Sequence, residues 1–533
     1  MEYYRCENPD CGYLAEQEPD ACPCCGGVFF LQVDEEDLAG SDWVQLGNRA
    51  VDEERGTDAL ACYQRAAAMD DVLGLTNLGW CLEAGVGVEA DPRQAVVLYA
   101  QAASREYMPA LTNLGYCYAH GVGVERDLSR ALECFRKGAE NGFPRAQFLL
   151  GEAYSRGAGV EQDDREAVRW YQSAAWLGYP AAQTELGRCL EFGTGVSKNI
   201  AQAAKWYQAA AEQGNAPGQC CLGYLYECGE GVEQSWEEAV RWYQAAADQG
   251  YPRAQCNLAW CYEYGKGVEQ DWTQAALWYR QAAEQGDARG LFCMGVCCRY
   301  GRGVPQDLGE SVEWYRMAVK AGSAAAMCNL GVCYERGEGV ERDLTRAAEL
   351  YLQAAQKGDA AGQCNLGYLY EIGEGVEQSW AEAVRWYQAA ADQKYPRALC
   401  NLGVCWEFGH GVEKDPERAA SLYRQAAEQG DQVAACNLGY LYETGVGVGQ
   451  SWEEAVKWYL RSAEKSYPRA QYNLAWCYEH GKGVSRNLGR ARELYQAAAD
   501  QQYEGAQAAA DRLKRPEHKG GFLRGFLDGF RGR

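Results

Sequence analysis

Four cysteines near the amino terminus are the residues best placed to do chemistry. Cys6 and Cys11 are followed, after ten intervening residues, by Cys22 and Cys25, the second pair inside the run Cys-Pro-Cys-Cys-Gly. Two thiolate pairs can close a tetrahedron around a soft metal ion, and the glycine after each pair lets backbone N–H groups turn toward the sulfurs. Closed thiolate tetrads most often hold structural zinc, which here would staple a segment too short to fold on its own. An iron-loaded site carrying single electrons is the alternative; zinc is favoured because no redox partner domain follows. Residues 1–40 hold one Arg against ten acidic residues, so the segment is not expected to bind nucleic acid.

The rest of the chain offers little that could react. His120, His410, His480 and His518 are scattered, and none is spaced with a nucleophile or a second metal ligand. A Gly-x-Gly-(mostly)Val signature starts at Gly85 and returns every 36 residues up to Gly481, twelve times in all. No Lys-Ser/Thr follows these loops and no strand precedes them, so they do not read as phosphate loops. A polar column, Asp91, Asp127, Asp163, Asn199, Ser235, Asp271, Asp307, Asp343, Ser379, Asp415, Ser451 and Asn487, holds only Asp, Ser or Asn. Each precedes an expected second helix, so these are N-caps worth about 1 kcal/mol apiece and not metal ligands. No enzyme is expected.

The 36-residue period dictates the elements that position everything else. In one copy, Ala254, Leu258, Ala259 and Tyr262 share a face of a first helix, and Ala275, Trp278, Tyr279 and Ala282 form the facing stripe of a second. A Trp-Tyr pair recurs at 170–171, 206–207, 242–243, 314–315, 386–387 and 458–459. Such a stripe reads as core buried between neighbouring copies and not as a ligand cage. The expected fold is all-α, a solenoid of twelve helix-pair repeats with caps at both ends. The expected segments are a metal-binding head (1–33), an acidic linker (34–41), a capping helix pair (42–71), twelve repeats (72–502), a closing helix (503–515) and a basic amphipathic tail (516–533).

Composition narrows the class of partner. The 533 residues carry 51 Lys+Arg against 75 Asp+Glu, a net charge of −24 that repels phosphate backbones and anionic membranes. No apolar run is long enough to cross a membrane and no signal core opens the chain, so a cytoplasmic protein is expected. The 25 cysteines fit that reading, because most fall on first helices as small buried hydrophobes.

Two resemblances follow from these residues. The amino-terminal segment resembles rubredoxin-like zinc ribbons at Cys-Gly-Tyr and Cys-Pro-x-Cys-Gly, although its first pair is spaced by four residues where the family has two. Residues 72–502 resemble Sel-1-like repeats, longer-looped relatives of tetratricopeptide repeats, at Ala254, Leu258, Tyr262, the loop 265–268, Asp271, Ala275, Tyr279 and Ala282-Ala283. That resemblance implies a right-handed α-solenoid, first helices lining a concave groove, and adaptor functions in bacterial and eukaryotic assemblies.

Two columns of the first helices are not needed for packing. One is Asn77, Asn113, Asn257, Asn329, Asn365, Asn401, Asn437 and Asn473; the other is Trp80, Tyr116, Tyr224, Trp260, Tyr368, Tyr440 and Trp476. An amide both donates and accepts, which suits an extended peptide backbone, and Tyr and Trp are enriched at binding hot spots. The same asparagines could instead bridge adjacent copies as a structural ladder, and both readings stand. A glutamate column, including Glu83, Glu191, Glu227 and Glu371, reads as a solvated edge or as a lure for a basic partner. In the tail, Phe522, Leu523, Phe526, Leu527 and Phe530 share one helical face in a segment where, from Asp511 on, seven Lys/Arg face three acids. Docking to a partner is the favoured role for that face, ahead of membrane contact. The function expected is an adaptor holding a protein or peptide segment. The alternatives are electron transfer by an iron-loaded head and binding of carbohydrate or cell-wall fragments.

Overall fold

The computed structural model describes residues 3–6, 13–15, 23–24 and 30–514. Of the expected metal ligands only Cys6 falls among them; Cys11, Cys22 and Cys25 lie outside the described residues, as do the five apolar tail residues from Phe522 to Phe530. The described chain forms two compact units, residues 1–270 and 271–533.

The first unit opens with a small antiparallel sheet. Strand β1 (Tyr3–Cys6) lies between β2 (Leu14–Ala15) and β3 (Phe30–Val33), with Cys6 opposite Phe30. The sheet is fastened to the first helix, Gly40–Asp52. Leu14 is fully buried, Tyr3 meets Trp43 edge-on at 5.6 Å, Arg49 donates to the Leu14 carbonyl at 2.6 Å, and Arg5 pairs with Asp42 at 2.6 Å. Leu38, within the expected linker, is buried in the same cluster. Helix Gly56–Ala68 completes the leading pair. Five further pairs follow, from Val72–Ala84 with Pro92–Ala103 to Ala216–Cys228 with Trp236–Asp248, and then the first helix Pro252–Tyr264. The second unit begins with Trp272–Glu284, continues through six pairs from Ala288–Tyr300 with Leu308–Lys320 to Pro468–His480 with Leu488–Asp500, and closes on Ala506–Lys514.

Local chemistry explains why nearly every helix runs thirteen residues. Each of the twelve expected N-caps accepts a hydrogen bond from the first turn of its helix; Asp343 takes one from the Arg346 amide at 3.0 Å and Ser379 one from Glu382 at 3.3 Å. The first helices end on left-handed glycines, and the second glycine of the loop has a packing reason as well. Gly231, at φ 73°, lies so near the helix of the preceding copy that a Cβ there would come within 2.7 Å of the Ile200 carbonyl oxygen.

Within the pairs a small residue receives an aromatic ring, Phe135 in one copy and tyrosine in the others. A Cβ on Gly223 would fall 2.8 Å from Tyr243, which is fully buried. The tyrosine is the core member of the recurring Trp-Tyr pair, whereas of those tryptophans only Trp458 is buried and the others are half-buried. Buried glutamines satisfy the backbone between copies: Gln183 donates to the Ala175 carbonyl at 3.3 Å and accepts from Gln213 at 2.8 Å.

A further contact joins successive copies at the start of the second helix. Trp236, Trp272, Trp380 and Trp452 each meet the second loop residue of the next copy, thirty positions on. Lys266 lies 5.8 Å, Arg302 4.9 Å and Lys482 5.6 Å from their rings, and His410 stacks on Trp380 at 4.4 Å. Where the first position is not Trp, the second is Val, Ala, Thr or Glu, as in Leu128 with Ala158 or Leu344 with Glu374. A cation is found only where a ring is present to receive it. Among the described residues, no helix is long and apolar enough to cross a membrane.

Candidate partner-binding face

Successive first helices approach one another within each unit, Pro180–Phe192 with Ala216–Cys228 in the first and Ala324–Arg336 with Ala360–Ile372 in the second. Their shared face carries the two columns singled out in the sequence. The aromatic members are partly or largely solvent-facing: Trp80, Tyr224, Tyr368 and Tyr440 are exposed, Tyr440 to 40%, and Tyr116, Trp260 and Trp476 are half-buried. Trp260 stacks on Trp236 at 5.8 Å and Trp476 on Trp452 at 5.6 Å, so these two rings are held in place from one side.

The asparagines are all half-buried, and each has a partner within the array. Asn365 donates to Cys328 Sγ at 3.5 Å, Asn401 to Cys364 Sγ at 3.8 Å, Asn257 to Cys220 Sγ at 3.8 Å and Asn473 to Cys436 Sγ at 4.0 Å. Asn113 accepts from Arg145 at 2.7 Å and Asn437 from Arg469 at 3.2 Å; Asn77 donates to Asn48 at 3.2 Å, and Asn329 to its own helix at the Ala325 carbonyl, 2.9 Å. Apart from Asn329, every one therefore spans two copies, which gives the ladder a concrete form. The thiol bonds are long and weak, and those of Asn365, Asn401 and Asn473 use only Nδ2, leaving Oδ1 as an acceptor on the face. Ladder and peptide contact are compatible in the same side chain.

The thiols behind the ladder are inert. Burial pushes Cys328, Cys364 and Cys436 up to about 12, so they stay protonated at neutral pH.

The glutamate column is neither a bare solvated edge nor a row of unengaged carboxylates. Glu83, Glu191, Glu227, Glu335, Glu371, Glu407, Glu443 and Glu479 each accept from the core tyrosine sixteen residues on, at 2.5–2.9 Å. Burial, reinforced by the adjacent carboxylate, raises these phenols well above their ordinary range and keeps them as donors. Sequence reasoning missed this pairing, although the columns carry its signal. Where the tyrosine is Phe135 the glutamate is Ala119, and where the glutamate is Arg299 the hydroxyl of Tyr315 makes no hydrogen bond among the described residues.

In the first unit, Trp80, Glu83, Tyr99, Asn113, Tyr116 and Arg145 line one cleft of about 300 Å³. It brings members of both predicted columns together with an arginine and a tyrosine-bound carboxylate, the mix of flat apolar area and fixed polar atoms that peptide contacts use. Among the described residues, no cluster of three or more His, Cys, Asp or Glu side chains could hold a metal.

Stacked helix pairs with capped ends define a repeat protein of the α-solenoid class. Thirteen matches to the Sel1 repeat model cover residues 47–71 and then run from 72 to 503, so the chain belongs to the Sel1 repeat family. The leading pair expected as a cap is thus counted as a shortened thirteenth repeat. Among solved structures, the chain is similar to c5321, a protective antigen of uropathogenic Escherichia coli with an SLR fold. The identity is 33%, the TM-score is 0.60, and the match covers 79% of this chain and 90% of that one. A Sel1 repeat protein from Oxalobacter formigenes is 32% identical over 46% of this chain and 96% of its own, with a TM-score of 0.42. No curated protein matches. Repeats of this kind generally serve as protein-interaction scaffolds.

Proposed function

We propose that this protein is a non-catalytic adaptor that holds a peptide or protein segment along the face of its first helices, in the cytoplasm where its thiols stay reduced. The observation that carries the reading is the exposed aromatic column, Trp80, Tyr224, Tyr368 and Tyr440, set beside half-buried asparagines that keep an acceptor atom on the same face. Large apolar rings left in water in four separate copies are a cost that partner binding recovers. Asn365, Asn401 and Tyr368, replaced together by Ala, are expected to abolish partner recovery in pull-downs while far-UV circular dichroism is retained. Undiminished recovery would remove the basis for the reading.

The head is assigned a structural zinc held by Cys6, Cys11, Cys22 and Cys25. Support comes from Cys6, which is buried at the end of a three-stranded sheet too small to have a core of its own. Native mass spectrometry of the full chain should show one zinc. A chelator should then loosen the contact of Tyr3 and Leu14 with the first helix, seen as faster amide exchange there. Iron in place of zinc, with reversible one-electron reduction, would favour electron transfer instead.

A further inference from the structure

The copies are nearly interchangeable along most of the array, so a point where several columns depart together is informative. Between residues 119 and 158 five columns break. Ala119 stands in the glutamate column, Phe135 in the tyrosine column, Leu149 in the asparagine column and Glu152 in the aromatic column. Ala153 is alone in its column in being neither Cys nor Leu. All five line a single cleft of about 610 Å³ in the first unit, with Leu128 and Leu132 completing its apolar wall. The space has a simple origin: a glutamate chain is missing at 119 and a larger side chain at 153.

The mouth of the cleft is charged. Glu152 accepts from Arg156 at 2.7 Å, which neutralises that pair. Arg126 places Nε on the Ala119 carbonyl at 3.1 Å, so its terminal amino groups remain for a ligand. His120 lines the same mouth and rests on Tyr116 at 4.2 Å, and Tyr116 belongs to the neighbouring 300 Å³ cleft. The apolar chamber therefore adjoins the proposed binding face through the His120–Tyr116 contact, and it carries a surplus cation on a chain of net charge −24. An anionic group would be drawn here by local geometry and not by the overall field.

We propose that this cleft sets the register of the bound segment: it takes one bulky apolar side chain, Leu, Phe or Trp, from the peptide, with an Asp or Glu beside it meeting Arg126. The assignment rests on the peptide-binding reading above. Elsewhere the face reads a chain generically; here it selects a residue.

The test pans a phage-displayed library of random twelve-residue peptides on the full chain. Enriched peptides are then measured against Ala153→Leu and Arg126→Glu. Leucine is what Leu225, Leu369 and Leu441 supply in the same column, so Ala153→Leu fills the chamber with a residue the fold already uses. Arg126 is exposed, so its replacement leaves the core untouched. Enriched peptides are expected to share a bulky apolar residue with Asp or Glu within two positions. They should bind Ala153→Leu at least tenfold more weakly, and Arg126→Glu should prefer Lys or Arg in place of the acid. Peptides that bind Ala153→Leu as tightly as the parent, or that show no acidic neighbour, overturn the pocket and leave the binding face standing. A library that yields no binder overturns both.

Discussion

Replacing Tyr387 by Phe isolates the tyrosine–glutamate bond, an interaction that recurs in both units. The Tyr387 ring is fully buried, and its hydroxyl donates to Glu371 Oε2 at 2.6 Å. Phenylalanine preserves the ring and its packing, as Phe135 does at the equivalent position of another copy. What is lost is one hydrogen bond to a charged acceptor, worth about 1.5–3 kcal/mol. Glu371 is half-exposed, so water partly replaces the phenol and the lower end, about 1.5 kcal/mol, is the expected cost. Long repeat arrays do not unfold in one step, so the readout is native-state hydrogen exchange in helices Ala360–Ile372 and Trp380–Asp392, where that cost appears as about a tenfold faster opening. Glu371→Ala leaves a buried hydroxyl unsatisfied and should cost as much or more, while the double variant should cost clearly less than the two singles summed. Tyr315 supplies the control, because its hydroxyl has no hydrogen-bond partner and Tyr315→Phe should be neutral or mildly stabilising. If Tyr387→Phe opens no faster than Tyr315→Phe, the carboxylates are surface ornaments and the assignment of this column is wrong.

Three further outcomes follow from the same geometry. Asp343→Ala removes the cap on the Arg346 amide and should weaken helix Leu344–Gln356 by about 1 kcal/mol, measured by exchange in its first turn. A double-mutant cycle on Trp236 and Lys266 should give a favourable coupling of about 0.5–1 kcal/mol by native-state hydrogen exchange in the two copies, and the same cycle on Leu344 and Glu374 should give none. Iodoacetamide labelling mapped by mass spectrometry should modify the exposed Cys228 long before Cys364, which burial raises to about 12, or Cys405, raised likewise to about 12. Equal labelling would mean that the array breathes far more than its packing implies.

The architecture was legible because it rests on short-range rules. Period, caps, left-handed glycines and the small-residue column each act within one copy, and each reappears where the sequence placed it. The candidate face was half legible. The positions of Asn365 and Tyr368 on a shared face follow from helical spacing, but the reach of Asn365 to Cys328 depends on how closely two copies approach, which no single-copy pattern contains. Glu371 was misread for the same reason: alone it is a charge on an edge, and only Tyr387 in the facing helix shows what it is for. The 610 Å³ cleft is a still longer-range property, since it arises from five residues spread over three helices. Comparing columns for joint departures, instead of reading each for its consensus, would have flagged Ala119, Phe135 and Ala153 together.

The tryptophan contacts at the seams bear on how such an array gains and loses copies. Each pair is divided between adjacent units of sequence, Trp380 in one and His410 in the next. A deletion of 36 residues that removed 396–431 would keep every helix and every loop in phase, yet it would set Trp380 opposite Val446. Removal of 360–395 would leave His410 facing Leu344. Slippage during replication is therefore not neutral with respect to where it occurs, even among near-identical copies. Copy number in this chain should drift in blocks that carry both halves of a seam, and artificial arrays cut from it should be assembled with the joints placed by the same rule.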